Sequence, residues 1–424
     1  MKKPKTLPLV ACILRLCNNF FGSRGGIDSL ACKLLVKLFR VGNWEIDGDK
    51  TKINGKEGME ITEKKYVEEV YNYLHSIPET GRNEFKTSKF ISEELKKFGY
   101  DVVEGIAVTG IIATIDSGVK GPILAVRADM DALEYEIDGK KINIHSCGHD
   151  ANSSMVLAAA KEVIEKGISR GRAVFIFQPA EEILGGAIEM AKSGLLDEVE
   201  EIVGIHLRPI QEARLGEATP ALCHGSSKVV KVKINGLASH GARPHLGVNA
   251  VDAAVLAING INTIRIDPRV PHSAKVVKIN TSGSAHNIIP DSVTMVLDLR
   301  AQKNEIMEEL VEKIKDAING SVQSIGARAE IEVDGVPAAE YDEEMLRIVR
   351  EAIRDVLGSS IDEIITPGGE DFHFYTEILK VKSAYIGLGS DLVPGLHHPE
   401  MKFNLKALEY GKEILKKVVF KRLG

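Results

Sequence analysis

The sequence predicts an α/β fold that is interrupted by a smaller unit of β-α-β-β-α-β order. The chain has 424 residues, of which 44% are hydrophobic and 27% are charged, so it is long enough for more than one domain with its own core. Short apolar runs alternate with amphipathic helical segments, which is typical of a largely parallel sheet covered by helices. One internal segment breaks this rhythm and has the order of the ferredoxin-like split βαβ unit.

Two amphipathic helices open the regular part of the chain. Residues 64–77, KKYVEEVYNYLHSI, place Val70 and Leu74 on one helix face. Residues 87–100, TSKFISEELKKFGY, repeat the apolar spacing and reach Gly99, a residue type that commonly ends a helix.

Later apolar runs predict the buried strands of the main sheet. Each run is followed by polar residues, and several lead into a helix, as in a βαβ arrangement. The runs are PILAVRADMDA at 122–132, RAVFIFQPAEE at 172–182, EIVGIHL at 201–207 and SAYIGLG at 383–389.

The segment 228–335 predicts a domain inserted into the main α/β domain. Its order is strand, helix, two strands, helix, strand. These elements are KVVKVKING, NAVDAAVLAINGI, AKVVKINTSG, DSVTMVLDLRA, EIMEELVEKIKDAI and ARAEIEVDG. The main domain is then formed by residues 59–227 and 336–424.

Residues 1–58 show no sustained pattern, whereas helical periodicity begins just after Met59. We predict that the functional fold begins near Met59 and that residues 1–58 are an extension of unknown role or precede the true start. The apolar run near the N-terminus is interrupted at Arg15. It is also shorter than the roughly 20 residues that span a bilayer, so no membrane segment is predicted.

Composition argues against several classes of function. The net charge is −6 and no basic block is present, so nothing predicts nucleic-acid binding. The five cysteines are odd in number and irregularly spaced, which is not a disulfide framework and favours a reducing, cytoplasmic location.

Polar side chains follow the predicted strands at the point where each strand ends. In open α/β sheets, ligands bind outside the carboxyl ends of the strands. Because these segments are far apart in the chain, we expect them to aim thiol, imidazole and carboxylate groups at one sheet edge. The groups are Asp129 and Asp131, Cys147 and His149, Glu181 and Glu182, His206, and His397 and His398.

Cysteine, histidine and glutamate together suit zinc or a similar ion. Their number exceeds the roughly three protein ligands of one catalytic zinc, which favours two ions that share a bridging ligand. Such a pair can hold a water that ionises near neutral pH, and a carboxylate outside the ligand set must then accept its proton. Two alternatives remain at this point: a cysteine hydrolase using Cys147 with His149, and a binding protein that retains the fold without catalysis.

Nine stretches, in order from about residue 66 to 424, carry a family resemblance. They are LHSIPETG, AVRADMDALE, HSCGHDA, FQPAEE, GIHL, SHGARPHLGVNAVDAA, HNIIPD, GGEDFHFY and LHHPEMKF. With them the chain resembles the di-zinc aminoacylase/carboxypeptidase metallopeptidase family, specifically its amidohydrolase branch of hippurate and auxin-conjugate hydrolases. The resemblance implies a zinc-peptidase-like three-layer αβα catalytic domain with an inserted lid or dimerisation domain.

The resemblance also implies a ligand set for two divalent ions per subunit, most often Zn²⁺, with Co²⁺ or Mn²⁺ as alternatives. The implied ligands are Cys147, as a thiolate that bridges both ions, with His149, Glu182, His206 and His397.

Further roles follow from the resemblance in the same way. Glu181 would be the general base, and Asp129 would orient a metal ligand. His240 of the inserted domain would stabilise the tetrahedral oxyanion, reaching the active site of a partner subunit. Asn287 and Arg300 would bind a substrate carboxylate, since a guanidinium can pair with a carboxylate through two hydrogen bonds.

The implied reaction is hydrolysis of the amide bond of N-acyl amino acids or of the C-terminal residue of short peptides. The alternative is a deacetylase of a biosynthetic intermediate such as N-acetyl-diaminopimelate. Exposed edges of the inserted sheet favour a homodimer. The chain departs from the family at Glu134, where proline is usual, and at Asn152, where the branch has histidine, and both positions are expected to border the substrate cleft.

Overall fold

The computed structural model describes residues 66–283, 285–366 and 368–424, together with the backbone of two short strands near the N-terminus. These strands, β1 (Trp44–Asp47) and β2 (Lys50–Ile53), form an antiparallel pair within a unit that ends at Glu63. This pair of strands was not predicted from the sequence. The predicted start near Met59 lies outside the described residues.

The strands of the second unit, Lys64–Gly424, have the following bounds. They are β3 (Asp101–Ile106), β4 (Gly110–Asp116), β5 (Ile123–Asp129), β6 (Leu133–Ile137), β7 (Lys140–Ile144), β8 (Arg172–Gln178), β9 (Glu201–Pro209), β10 (Ala218–Thr219), β11 (Leu222–His224), β12 (Ser226–Asn235), β13 (Ser239–His240), β14 (His272–Thr281), β15 (Ile288–Ile289), β16 (Ser292–Ala301), β17 (Arg328–Val336), β18 (Ile364–Thr366) and β19 (Lys382–Leu392).

The helices of this unit lie close to the predicted segments. Helix α2 ends at Phe98, and Gly99 follows in the left-handed conformation with φ of 99°, as its position predicts. The helices are α1 (Tyr66–His75), α2 (Phe85–Phe98), α3 (His149–Lys166), α4 (Gly186–Ala191), α5 (Ala250–Asn262), α6 (Asn304–Gln323), α7 (Glu343–Leu357), α8 (His373–Leu379) and α9 (Lys406–Leu423).

A seven-stranded sheet in the order β10-β19-β9-β5-β8-β4-β3 forms the centre of the main domain. The four central strands, β19, β9, β5 and β8, are mutually parallel. The outer strands β10, β4 and β3 pair antiparallel. The parallel strands therefore end at the same edge of the sheet.

Both faces of this sheet are covered, which gives the predicted three-layer αβα arrangement. Along β8, Phe175 and Phe177 are buried in the core against helices α1, α2, α3, α7 and α9. Their neighbours Val174 and Ile176 point to the opposite face and pack in a core with α4 and α8. This alternation is expected for a strand buried on both sides.

The inserted segment forms a separate antiparallel sheet of order β14-β16-β12-β17. Helices α5 and α6 cover one face and share a core with buried residues such as Val232, Leu297 and Ile314. Together with the main sheet, this βαββαβ unit confirms the predicted fold class. Among the described residues, no helix is both long and apolar enough to cross a membrane.

Candidate metal centre

Four segments bring metal-ligating side chains together at the carboxyl end of the parallel strands. Cys147 and His149 lie at the start of α3, and Glu181 and Glu182 follow β8. His206 lies within β9, and His397 lies in the loop after β19. Among the described residues, ligand atoms of these side chains form overlapping groups whose members lie within 4.8 Å of one another.

The first group consists of Cys147, His149 and His206, and all three side chains are buried. Cys147 Sγ lies 3.5 Å from His206 Nε2. Cys147 lies two residues before α3 and His206 lies on β9, so the group depends on the packing of that helix end against the sheet.

The second group consists of Cys147, Glu182 and His397, and it shares the thiol with the first group. His397 Nε2 lies 3.5 Å from Glu182 Oε2, and the His397 side chain is 56% exposed. The structure therefore brings together all five side chains that the resemblance implies as ligands, in two groups joined by Cys147.

The histidine tautomers direct free lone pairs into these groups. His149 Nδ1 lies 3.0 Å from the carbonyl oxygen of Asp131, and His206 Nδ1 lies 2.8 Å from that of Leu207. A carbonyl oxygen can only accept, so each Nδ1 carries the hydrogen and each Nε2 has a free lone pair.

Two buried polar atoms of the site have no hydrogen-bond partner in the described part of the chain. They are His149 Nε2 and Glu182 Oε1, which lie 3.9 Å apart. Buried polar atoms are rarely left without a partner, and cations bound at the two groups would satisfy these lone pairs. The donor set therefore fits divalent metal ions.

Asp131 joins two of the segments that carry the metal-ligating side chains. Its carboxylate accepts the backbone N–H groups of Glu181 at 3.2 Å and of Glu182 at 3.0 Å. It also lies 3.2 Å from His149 Nδ1. Asp131 therefore contacts the predicted ligand His149 through its side chain. No specific role was predicted for Asp131 from the sequence.

Asp129 lies beside the cluster but makes different contacts from those predicted. It is 4.0 Å from His149 Nε2, and its carboxylate accepts from Arg127 at 2.5 Å and from Asn152 at 2.8 Å. Asn152 is fully buried on α3 against Asp129, so it lies beneath the site rather than bordering a cleft. Glu134 is exposed on β6 and pairs with Lys141 at 2.7 Å.

A second buried carboxylate holds the turn that carries Glu181. Glu84 Oε1 accepts the backbone N–H of Ala180 at 2.9 Å, and Glu84 Oε2 accepts from the Thr109 hydroxyl at 2.7 Å. Ala180 has φ of 57°, a conformation that costs energy for a residue with a Cβ. The hydrogen bond to Glu84 stabilises that conformation.

Arg127 lies fully buried beneath the cluster and binds several carboxylates. Besides Asp129, its guanidinium donates to Asp371 at 3.0 Å and to Glu370 at 3.3 Å. Carboxylate oxygens of Glu370 and Asp371 lie within 4.8 Å of one of Glu181. In the sequence, this network is indicated by Arg127, a charged residue within the apolar run of β5. No role was predicted for it.

Burial determines the charge states at the site. It raises the pKa of Glu181 well above its ordinary value, and Glu370 and Asp371 raise it further. Burial lowers the pKa of His206 to about 3, which keeps the imidazole neutral and able to bind a cation. Burial also raises the pKa of the Cys147 thiol, which is the opposite of what a cysteine nucleophile needs.

Three predicted residues are not joined to this cluster by any hydrogen bond or ion pair of the described residues. His240 is exposed on β13, where it is opposite Ile288 of β15, and Asn287 directly precedes β15. Gly241 N donates to Asn287 O at 2.8 Å. Arg300 lies on β16 and already pairs with Asp298 at 3.0 Å.

The fold and this donor set define a class of protein: a metal-dependent hydrolase with its site at the carboxyl end of a parallel sheet. Comparison with known proteins identifies the family. The sequence profile of peptidase family M20/M25/M40 matches residues 125–421, and the chain belongs to this family. It is a metal-dependent amidohydrolase.

Relatives within this family support the amidohydrolase branch. The chain is 30% identical to a hippurate hydrolase from Campylobacter jejuni, over 84% of this chain and 96% of that protein. It is 33% identical to an IAA-amino acid hydrolase from Arabidopsis thaliana, over 80% and 81%. Its fold is similar to that of a dinuclear metal-binding M20 peptidase from Bacillus subtilis, with a TM-score of 0.70, 25% identity, and coverage of 84% and 98%.

Replacing Asp131 with alanine removes the carboxylate that accepts the backbone N–H groups of Glu181 and Glu182 and that lies beside His149 Nδ1, so we expect metal affinity to fall by about 10- to 100-fold. Metal content after dialysis against a weak chelator measures this loss. Asp334→Ala, an exposed carboxylate of β17, is the matched control. Full retention of metal by Asp131→Ala would contradict the positioning role.

Proposed function

We propose that the protein hydrolyses amide bonds whose nitrogen belongs to an amino acid, in N-acyl amino acids or at the C-terminus of short peptides. One observation carries the proposal: two groups of metal-ligating atoms share Cys147, and Glu181 lies beside them. The relatives named for hippurate and IAA-amino acid hydrolysis support an acyl group on an amino acid as the substrate.

We propose that two divalent ions, Zn²⁺ or alternatively Co²⁺ or Mn²⁺, bind at these groups. Cys147, His149 and His206 would hold one ion, and Cys147, Glu182 and His397 the other. When bound, the ions would promote ionisation of water and polarise the scissile carbonyl.

Glu181 would move the proton in this reaction. Its carboxylate lies 3.8 Å from His149 Nε2, at the edge of the ligand groups, and its backbone N–H is fixed by Asp131. Burial and the neighbouring carboxylates raise its pKa, which brings a general base closer to neutral pH. Glu181 would accept the proton of the attacking water and donate it to the leaving nitrogen.

We propose that the inserted domain binds the remainder of the substrate. His240 lies on β13, and Asn287 directly precedes β15, the strand that pairs with β13; these two side chains would contact the oxyanion and the substrate carboxylate. Arg300 would have to exchange its pairing with Asp298 for the substrate carboxylate. His240 is exposed, and among the described residues no hydrogen bond or ion pair joins it to the cluster of its own chain. It would therefore contact the active site of a partner subunit.

A substrate panel tests the proposed reaction. Purified enzyme with measured metal content should release amino acid from N-acetyl, N-benzoyl or N-benzyloxycarbonyl amino acids or from dipeptides, with N-acetyl-diaminopimelate included to test the deacetylase alternative. Chelation should abolish release, and Zn²⁺, Co²⁺ or Mn²⁺ should restore it. Activity that resists complete metal removal would exclude the metal mechanism.

Glu181→Gln separates catalysis from metal binding. The substitution keeps the shape of the side chain but removes the base, so the rate should fall by at least about 100-fold while both ions remain bound. Glu182→Gln is the contrasting variant, because it replaces a proposed ligand and should lose metal. Turnover of Glu181→Gln near the wild-type rate would refute the role of this glutamate.

We also propose that the inserted domain forms a homodimer. Strand β14 is an edge of its sheet, and Val277 and Ile279 on it are 61% and 47% exposed. Helix α5 exposes Val255 and Leu256 by 50% and 39%. An apolar edge strand of this kind readily pairs with another chain.

Val277→Lys should therefore dissociate the dimer, since it places a charge on the pairing edge. Sedimentation measures the mass in solution. Val119→Lys, at an exposed valine outside the inserted domain, is the control and should leave the mass unchanged. A monomeric wild-type protein would contradict the proposal.

A further inference from the structure

The two ligand groups differ in how firmly the fold holds them. Cys147, His149 and His206 are all buried; His149 and His206 lie on a helix and a strand of the main domain, and Cys147 lies two residues before that helix. The other group depends on His397, whose side chain is 56% exposed and which lies in a loop. The position of His397 is therefore the weaker constraint on the site.

The loop that carries His397 is closed at its base and held at its tip. Val393 and Lys402 exchange backbone hydrogen bonds of 2.9 and 2.8 Å at the base. Between them, among the described residues, hydrogen bonds connect the tip to the rest of the fold at Ser146 and Tyr135. His397 has φ of 60°, a conformation that a residue with a Cβ adopts only when its surroundings impose it.

Tyr135 closes a ring of hydrogen bonds around this tip. Its hydroxyl lies 2.8 Å from the carbonyl oxygen of His397 and 2.7 Å from Ser146 Oγ. Because the carbonyl can only accept, Tyr135 donates to His397, and the Ser146 hydroxyl donates to Tyr135. His397 N in turn donates to Ser146 O at 2.7 Å.

This ring links the backbone of His397 to Ser146, which is the residue before the shared ligand Cys147. Ser146 is fully buried and directly precedes Cys147, and Tyr135 lies on β6 of the β6–β7 hairpin. The hairpin thus joins the backbone of the loop ligand to the segment that carries the shared thiol. Among the described residues, the hydrogen bonds of Tyr135 go to His397 and Ser146 and not to His149 or His206.

We propose that Tyr135 is a positioning residue for His397 and that it determines the affinity of one of the two ions selectively. The inference rests on the proposed ligand assignment. Without the hydroxyl, binding of an ion at Cys147, Glu182 and His397 must also order the loop, which weakens that binding. The buried group of Cys147, His149 and His206 keeps its contacts.

Titration of the metal-free full-length protein with Zn²⁺, in competition with a chromophoric chelator, tests the inference. Wild type should bind two ions. Tyr135→Phe should bind one ion with unchanged affinity and the other about tenfold more weakly, the scale on which an outer hydrogen-bond partner of a metal ligand acts. Ser146→Ala removes one link of the ring and should weaken the same ion by a smaller factor.

Tyr100→Phe is the matched control, because Tyr100 also donates to a backbone carbonyl, that of Ala160, at 2.8 Å. It should bind both ions as wild type does. If Tyr135→Phe matches this control, or if it weakens both ions equally, the positioning role of Tyr135 is wrong. If wild type binds fewer than two ions, the proposed function itself fails, and the two failures are thereby distinguished.

Discussion

The site depends first on the hydrogen bonds of Asp131. This one carboxylate, just beyond β5, contacts the ring of His149 on α3 and the backbone N–H groups of Glu181 and Glu182 after β8. The three elements are fixed relative to each other because β5 and β8 are parallel neighbours and α3 packs on the same sheet. The polar residues after β8 and at the start of α3 are therefore held in place by a side chain that would not itself bind a metal ion.

Charge balance is the second constraint. Asp129, Glu181, Glu370 and Asp371 are all buried around a single buried guanidinium, that of Arg127. Burial raises the pKa of Asp371 to about 8 although Arg127 lowers it, so Arg127 alone does not keep this carboxyl group ionised at neutral pH. Buried carboxylates are stable only when they are paired, protonated or bound to cations. Two cations beside Glu181 and Glu182 would add positive charge next to these carboxylates. The ions proposed for catalysis would therefore also stabilise the buried network.

Much of the fold was predictable because apolar periodicity specifies buried strands and helix faces directly. The convergence of Cys147, Glu182, His206 and His397 was also predictable, since the carboxyl ends of parallel strands meet at one edge. The positioning roles of Asp131, Glu84 and Tyr135 were not predicted, because they consist of contacts to backbone groups that are distant in sequence. The pairing of Arg300 with Asp298 of its own strand was not predicted either, whereas the separation of His240 from the cluster of its own chain agrees with the expected contact to a partner subunit.

The central claim is that Cys147 is shared by two cations. Anomalous X-ray diffraction from crystals of the zinc-loaded protein, collected on both sides of the zinc absorption edge, tests it most directly. The account predicts two anomalous peaks per chain that have Cys147 Sγ as a common neighbour, one beside His149 and His206 and the other beside Glu182 and His397. A single peak remote from Cys147, or these side chains directed into separate regions, would contradict it.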